Sequence, residues 1–275
     1  MAHILGAIIT YNPDLALLNQ NINSFAETVD RIVIVDNASN NIADLALLES
    51  DTIHLLRNPT NVGIAIGLNI ALQYAQENNF EFILTMDQDS FFEKPTVPFL
   101  LSGFTNEKTA IVCPVLKDMN STHLVLAAED YVNVFTTITS GSLCRVKTLH
   151  KVGGFDSKMF IDYVDVELCL RLQKNGFKIL RSQFSTLCHH LGESKMYSFL
   201  GIKFISTNHS PLRNFYYARN KVYVYKKYFS CYPVFVLRDI LSFCKTVFII
   251  LFFEQMKASK IKMICRGIWQ GVFYI

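Results

Sequence analysis

Asp87 and Asp89, in Phe82-Ile83-Leu84-Thr85-Met86-Asp87-Gln88-Asp89-Ser90, are the first residues in this chain with chemistry in them. They stand where an apolar, β-forming run stops. Two hard oxygen donors in this pattern suit Mg²⁺ or Mn²⁺, and such an ion can hold a diphosphate. The same triplet also makes turns and caps helices, so alone it decides little. A second acidic group, Asp162, Asp165 and Glu167, lies in the segment from Ile161 to Leu172. Leu168, Cys169 and Leu172 have helical spacing, which puts Asp165 near a helix start, where the dipole favours the anion. It is there either as a cap or as a general base facing a hydroxyl. His189 and His190 offer nitrogen ligands, although an isolated histidine is more often structural. Arg213 and Arg219, interleaved with aromatics between His209 and Asn220, carry forks suited to phosphate oxygens. A solvated, aromatic-backed helix is the plainer reading of that stretch.

The elements that must position these residues alternate in type. Ile4 to Thr10 reads as a buried strand stopped by Tyr11-Asn12-Pro13-Asp14. Leu15, Leu18, Ile22 and Phe25 give an apolar helical face. Arg31 to Val35 is a second strand, ending in Asp36-Asn37-Ala38-Ser39-Asn40, and Ile53 to Arg57 a third, ending in Asn58-Pro59-Thr60-Asn61. A helix from about Ala65 to Glu77 precedes the Phe82 strand. Further strands are expected at Ala110–Val115 and Lys178–Leu180. The pattern is that of an α/β domain with a mainly parallel sheet, its polar turns gathered along one edge.

Three of those turns carry candidates. Asp36 can accept from a nucleobase imide or simply order its turn. Gly63 and Gly67, in Asn61-Val62-Gly63-Ile64-Ala65-Ile66-Gly67-Leu68-Asn69, allow close backbone approach, either to a ligand or between helix and sheet. They form neither Gly-x-Gly-x-x-Gly nor a Gly-Lys-Ser/Thr loop, which weakens those nucleotide folds. Ser140-Gly141-Ser142 is a backbone-accessible turn with hydroxyl donors.

Among 275 residues 51% are hydrophobic and 18% charged, which is apolar for a soluble protein. A net charge of +3 is too mild to argue for nucleic acid. Seven cysteines without a Cys-x-x-Cys pair support neither a disulfide framework nor a zinc site, and point to a reducing compartment. The apolar run Ile4–Ile9 lacks the basic flank and length of a signal peptide, and the Asn37 and Asn120 sequons are discounted accordingly. From about Tyr232 the chain is apolar and basic. Its uncharged run Thr246–Phe253 is bounded by Lys245 and Glu254, well short of the ~20 residues a spanning helix needs. Lys257, Lys260, Lys262 and Arg266 beside it fit an interfacial helix on an anionic membrane, or equally a helix pair packed on the domain.

Taken in order, these segments resemble a family-2 glycosyltransferase of the GT-A fold, and more narrowly the bacterial rhamnosyltransferases of O-antigen and related polysaccharides. The resemblance rests on Thr10-Tyr11-Asn12-Pro13, Val35-Asp36-Asn37, Asn61 to Asn69, Asp87-Gln88-Asp89-Ser90 and Thr139-Ser140-Gly141-Ser142. Gly153-Gly154-Phe155-Asp156, Phe160 to Arg171, His189 to Gly192 and His209 to Asn220 continue it. It implies an α/β GT-A fold over residues 1–228, with a mainly parallel sheet flanked by helices. A C-terminal helical, membrane-associating extension over 229–275 follows.

The resemblance also implies roles. Thr10, Tyr11 and Asn12 match a nucleotide-contacting loop, Asp36 and Asn37 the base-holding segment, and Asn61, Gly63, Gly67 and Asn69 the segment that closes over the nucleotide. Asp87, Gln88 and Asp89 match the metal and nucleotide-sugar motif, with His189 preferred over His190 as a further ligand for Mg²⁺ or Mn²⁺. Ser140, Gly141, Ser142, Arg213 and Arg219 fall to the diphosphate or acceptor. Asp165 matches the catalytic base of a Glu-Asp motif whose glutamate is here Val164. The implied reaction is an inverting single displacement from a nucleotide sugar, with dTDP-rhamnose favoured, onto a polyprenyl-diphosphate-linked saccharide. It would take place on the cytoplasmic face of a bacterial inner membrane, with the enzyme held peripherally. The Gln-x-x-Arg-Trp motif of processive relatives is absent, since the only tryptophan is Trp269. Competing readings are a UDP-sugar donor, a nucleotidyltransferase, and a non-catalytic sugar-nucleotide or lipid-binding subunit.

Overall fold

The computed structural model describes residues 2–118, 129–189, 195–199, 202–206 and 208–273. In chain order the first elements are β1 (Ile4–Thr10), α1 (Leu15–Asn23), β2 (Arg31–Asp36), α2 (Ile42–Ala46), β3 (Ile53–Arg57), α3 (Ile64–Glu77) and β4 (Phe82–Asp87). Then come β5 (Phe91–Phe92), α4 (Val97–Ser102), β6 (Thr109–Asp118), β7 (Tyr131–Asn133), β8 (Ser142–Arg145), α5 (Val146–Lys151), α6 (Val164–Lys174) and β9 (Lys178–His189). The last are β10 (Lys195–Phe199), β11 (Ile202–Ser206), α7 (Pro211–Tyr228), α8 (Pro233–Phe253) and α9 (Lys257–Phe273).

The chain divides into two compact units: Met1–Phe160 with Val164–His190, and Ile161–Tyr163 with Leu191–Ile275. The sequence reading puts a domain boundary at 228/229; in packing, α7 groups with α8 and α9. In the first unit the described strands form one sheet in the order β3-β2-β1-β4-β8-β6-β9-β5, with β7 paired to β9. β1 to β4 are mutually parallel, β8 runs against them, and β6 and β9 again run with β4. The ends of β1, β2, β3, β4, β6 and β9 therefore share one edge with the start of β8.

Every residue of β1 is buried, as a central strand covered on both faces requires. Ile8, Ile34 and Leu84 from adjacent strands, with Leu18 from α1 and Leu45 from α2, are 0% exposed in one core. Truncating such a leucine or isoleucine to alanine costs about 2–5 kcal/mol. Local signals start the helices. Asp14 caps α1 by accepting from the Ala16 and Leu17 amides at 2.8 and 3.1 Å. Ser210 caps α7 through the Arg213 amide, with Pro211 at the first helical position.

In the second unit β10 and β11 pair antiparallel, and α7, α8 and α9 pack on Ala218, Phe243, Ile250 and Ile264. Gly267 and Gly271 of α9 face the α7 backbone so closely that an added Cβ would lie 2.3 Å from Phe215 O and 2.7 Å from Arg219 O. Lys221 is buried and donates to Asp239 Oδ2 at 2.8 Å, which also accepts from the Tyr163 and Tyr225 hydroxyls at 2.6 Å each. Lys260, also buried, pairs with Glu254 at 2.7 Å. No described helix is long and apolar enough to cross a membrane.

Candidate active site

At the shared edge, Thr10 closes β1 and Asp36 closes β2, paired in register. Asp36 is 1% exposed. Its Oδ1 accepts from Thr10 Oγ1 at 3.0 Å and from Ser39 Oγ, and its Oδ2 from the Ser39 amide at 2.9 Å. The carboxylate thus orders the turn after β2. Ser39 in turn accepts from the Asn12 amide, and Asn12 Oδ1 from the Asn40 amide, both at 2.8 Å. Asn12 is held at φ 47°, a left-handed conformation that asparagine tolerates. Between Thr10 and Asn12, Tyr11 is half exposed, an aromatic face open to a ligand. Its amide donates to Gln88 Oε1 at 2.9 Å, which ties this loop to the end of β4.

Asn37 lies buried beneath the same edge, donating to Gly63 O at 3.3 Å and accepting from Asn58 at 3.0 Å. Asn61 Oδ1 accepts from the Gly63 amide at 3.0 Å, a turn that starts α3. Gly63 carries φ +83°, and a Cβ there would lie 2.5 Å from Phe160 O. The Gly67 position abuts Ile9, 3.0 Å from an added Cβ. The close approach these glycines permit, as the chain is arranged, is to protein.

Asp87 and Asp89 are half-exposed at the end of β4. The Asp87 amide donates to Ser140 Oγ at 3.0 Å, and the Gly141 amide to Thr85 O at 2.8 Å. Ser140 and Ser142 are buried, so the hydroxyl turn pins β4 to β8. On the other side, buried Asn21 of α1 donates from Nδ2 to the Asp87 and Ser90 carbonyls. Sequence reasoning did not single out Asn21 or Ser39. The available signal for Asn21 was a polar residue within the Leu18–Ile22–Phe25 apolar face.

Asp165 sits in the first turn of α6, half buried, and its Oδ1 accepts from the Val166 amide at 2.8 Å. It borders a small internal void of about 10 Å³, room for about one water, shared with Thr85, Thr137, Ile138, Thr139, Ser142, Cys144 and Phe155. Glu167, two residues on, is fully buried and forked by Arg171, with Nε–Oε1 3.0 Å and Nη2–Oε2 2.7 Å. Of the two acids, Asp165 is the more exposed, and Glu167 anchors the helix. Burial pushes the Cys113 thiol up to about 11 and raises the Cys144 and Cys169 thiols well above the ordinary thiol range. The sulfurs beside Asp165 therefore stay neutral.

His189 ends β9, level with Asp118 of β6; its side chain, His190 and Gly192 lie outside the described residues. Among the described residues no three His, Cys, Asp or Glu side chains converge on a metal position. The donors present are the Asp87 and Asp89 carboxylates. That set fits Mg²⁺ or Mn²⁺ if substrate phosphate oxygens complete the shell, which is how Mg²⁺ in particular is commonly held.

Arg213 and Arg219 belong to the second unit. Arg213 forks Asp162, with Nη2–Oδ1 3.0 Å and Nε–Oδ2 3.2 Å. Arg219 lies over the Tyr216 ring at 4.9 Å and donates to Asn220 Oδ1 at 3.0 Å. Asp162 and Tyr163 are consecutive left-handed residues, φ 64° and 67°. Asn220 Nδ2 holds that strained pair by donating to the Ile161 and Asp162 carbonyls at 2.9 and 2.8 Å.

Comparison with known proteins agrees with this geometry. The model of the family described as "Glycosyl transferase family 2" matches residues 7–152, more than half the chain, from within β1 to the end of α5. A curated relative, dTDP-rhamnosyl transferase RfbF of Shigella flexneri, is 29% identical over 245 residues, covering 82% of this chain and 81% of its own. In fold the chain is similar to GalNAc-T7, solved with UDP, GalNAc and Mn²⁺, at TM-score 0.65 and 12% identity. That match covers all of this chain and 56% of the other, so the chain spans just over half its length. Residues 1–349 of S. aureus TarS, solved with UDP, superpose at TM-score 0.57 and 14% identity over 98% of this chain and 71% of that one. With its mostly parallel α/β sheet of GT-A type, the chain belongs to glycosyl transferase family 2 and is a glycosyltransferase.

Proposed function

We propose that the protein transfers a sugar, rhamnose from dTDP-rhamnose, onto a saccharide carried on a polyprenyl diphosphate, with inversion at the anomeric carbon. The observation that carries the reaction type is Asp165. It is a half-buried carboxylate at a helix start, beside a small void that Thr85, two residues before Asp87, also lines. There it takes the proton of the acceptor hydroxyl as that oxygen attacks. The negative charge is favoured by the dipole of α6 and by the Val166 amide. One displacement needs one base, so no covalent sugar–enzyme intermediate is invoked.

The nucleotide rests at the ends of β1 and β2, stacked on exposed Tyr11, over the turn that Asp36, Ser39 and Asn12 order. Asp87 and Asp89 would hold Mg²⁺ or Mn²⁺, which when bound neutralises charge on the leaving diphosphate. The donor assignment leans on the RfbF similarity. Diphosphate or acceptor roles for Arg213 and Arg219 rest on sequence alone, and in the second unit Arg213 is already engaged with Asp162.

The C-terminal helices support a place at a membrane surface. Val234, Leu237, Leu241, Phe248 and Phe252 form one exposed stripe on α8, and Trp269 and Phe273 are exposed on α9. The acids of these helices are engaged by buried lysines: Asp239 by Lys221, and Glu254, between them, by Lys260. Arg238, Lys245, Lys257, Lys262 and Arg266 are exposed. Apolar side chains ringed by cations suit an anionic bilayer interface.

The test is nucleoside diphosphate release from a panel of sugar nucleotides, with and without divalent metal and lipid-linked acceptor. Acceptor-dependent dTDP release from dTDP-rhamnose supports the proposal; turnover only with a UDP-sugar keeps the mechanism and replaces the donor. Free diphosphate would instead identify a nucleotidyltransferase.

A further inference from the structure

Asn69 was grouped by sequence with residues that touch the nucleotide. In the structure its amide is committed elsewhere. Nδ2 donates to Phe155 O at 2.8 Å and to Ser157 Oγ at 3.1 Å, while Oδ1 accepts from the Phe155 amide at 2.8 Å. The side chain thus copies a strand's pairing, donor to carbonyl and acceptor to amide, on one backbone residue. The neighbouring Gly154 is required by the same contact: at φ +68°, its added Cβ would lie 2.5 Å from Asn69 Oδ1.

A second tie lies one and a half turns earlier on α3. The N-cap residue Gly63 has no side chain to offer, and the Ile64 amide donates instead to Phe160 O at 2.7 Å. Both ends of the loop 155–160 are therefore hung on α3, at Asn69 and at Ile64. That loop runs, three residues later, into α6 and Asp165.

We propose that Asn69 is a positioning residue that ties helix α3 to the loop leading into the Asp165 helix. This rests on the functional reading above, in which Asp165 is the base. With the Asn69 pair in place, the loop is held at both of its ends. Without it, the loop loses one of its two ties and Asp165 is presented less well. Misplacement on the ångström scale costs about 10²-fold in rate.

The experiment compares Asn69→Ala, Asn69→Asp and Ser157→Ala with the wild type in kcat, donor KM, nucleoside diphosphate Kd and backbone hydrogen exchange. Positioning predicts that Asn69→Ala lowers kcat by ~10–100-fold, with donor KM and nucleotide Kd nearly unchanged. Asn69→Asp, which keeps an acceptor for Phe155 N–H but sets a carboxylate oxygen against the Phe155 carbonyl, loses at least as much. A Kd and KM that rise together with kcat retained would make Asn69 a nucleotide contact and overturn the proposal. So would a lowered melting temperature with kcat intact well below it, the mark of a merely structural clamp. Exchange gives a readout besides turnover: the 155–160 amides should exchange faster in Asn69→Ala than in wild type. Equal protection in both sinks the proposal. A wild type that binds nucleotide and turns over no donor indicts the functional reading instead.

Discussion

Gly63→Ala isolates how tightly the start of α3 is fitted to the loop before α6. Gly63 and Gly176 share nearly the same left-handed backbone, φ +83° and +79°, but not the same surroundings. Nothing lies within 4 Å of a Cβ at Gly176, whereas one at Gly63 would meet Phe160 O at 2.5 Å and Phe160 Cα at 2.8 Å. Gly176→Ala therefore costs only the left-handed strain, about 1–2 kcal/mol. Gly63→Ala adds a clash with backbone, comparable to overpacking at about 1–3 kcal/mol. It also adds loss of the Ile64–Phe160 hydrogen bond, about 1 kcal/mol. The sum is about 3–6 kcal/mol, against about 1–2 for the control. Urea unfolding of both variants reads the difference directly, and nucleotide titration shows whether the folded fraction keeps its ligand. Equal destabilisation of the two would refute the claim that Phe160 abuts this glycine.

In the second unit, Asp239→Ala strands the Lys221 ammonium, 1% exposed, and two tyrosine hydroxyls. It should cost about 3–5 kcal/mol in urea unfolding, with Lys221→Met cheaper because Asp239 keeps both hydroxyl donors. The same cluster sets an alkaline limit. Burial first, and then the Asp239 carboxylate, raise Tyr163 and Tyr225 above the ordinary tyrosine value. The folded chain then keeps protons that the unfolded chain releases, so stability is full below about pH 10 and falls above it. Burial lowers Lys221, which acts in the opposite sense up to about pH 10.4. Tyr163→Phe should flatten the alkaline fall in a stability–pH series, and an unchanged slope would contradict this. On the acid side, burial and then Arg213 lower His209, so its contribution is present above about pH 6.5 and is lost as pH falls below it. Thermal melts of His209→Asn should lose less between pH 7 and 5 than wild type, by about the His209 share.

Much of this architecture was legible. The boundaries of β1 and β3 follow from apolar runs cut by Asn-Pro turns, and α3 from helical spacing after Gly63. The first acid of α6 followed from Leu168 and Leu172. What was hidden has physical reasons. β8 is only Ser142–Arg145, too short for alternation to show, and its antiparallel direction comes from pairing with β4 and β6. β9 runs on to His189 through the polar Ser182-Gln183-Phe184-Ser185, because it pairs with β6 across a register shift near Pro114. Asp36, Asn37, Asn69 and Ser140 stood out in the sequence as candidate site residues. Sequence could not show which loops their polar atoms hydrogen-bond, since those partners lie between 3 and 88 positions away. The spacing that marked them as binding residues also makes them its scaffold.

The measurement that reaches the central claim most directly is Asp165→Asn, assayed side by side for turnover and for nucleotide binding. The exchange keeps the size of the side chain and its acceptor for the Val166 amide, and removes the base. The account predicts loss of acceptor-dependent transfer by ~10²–10⁴-fold, with nucleoside diphosphate binding at the wild-type level. Transfer that continues at the wild-type rate would contradict it, because the base would then be another group.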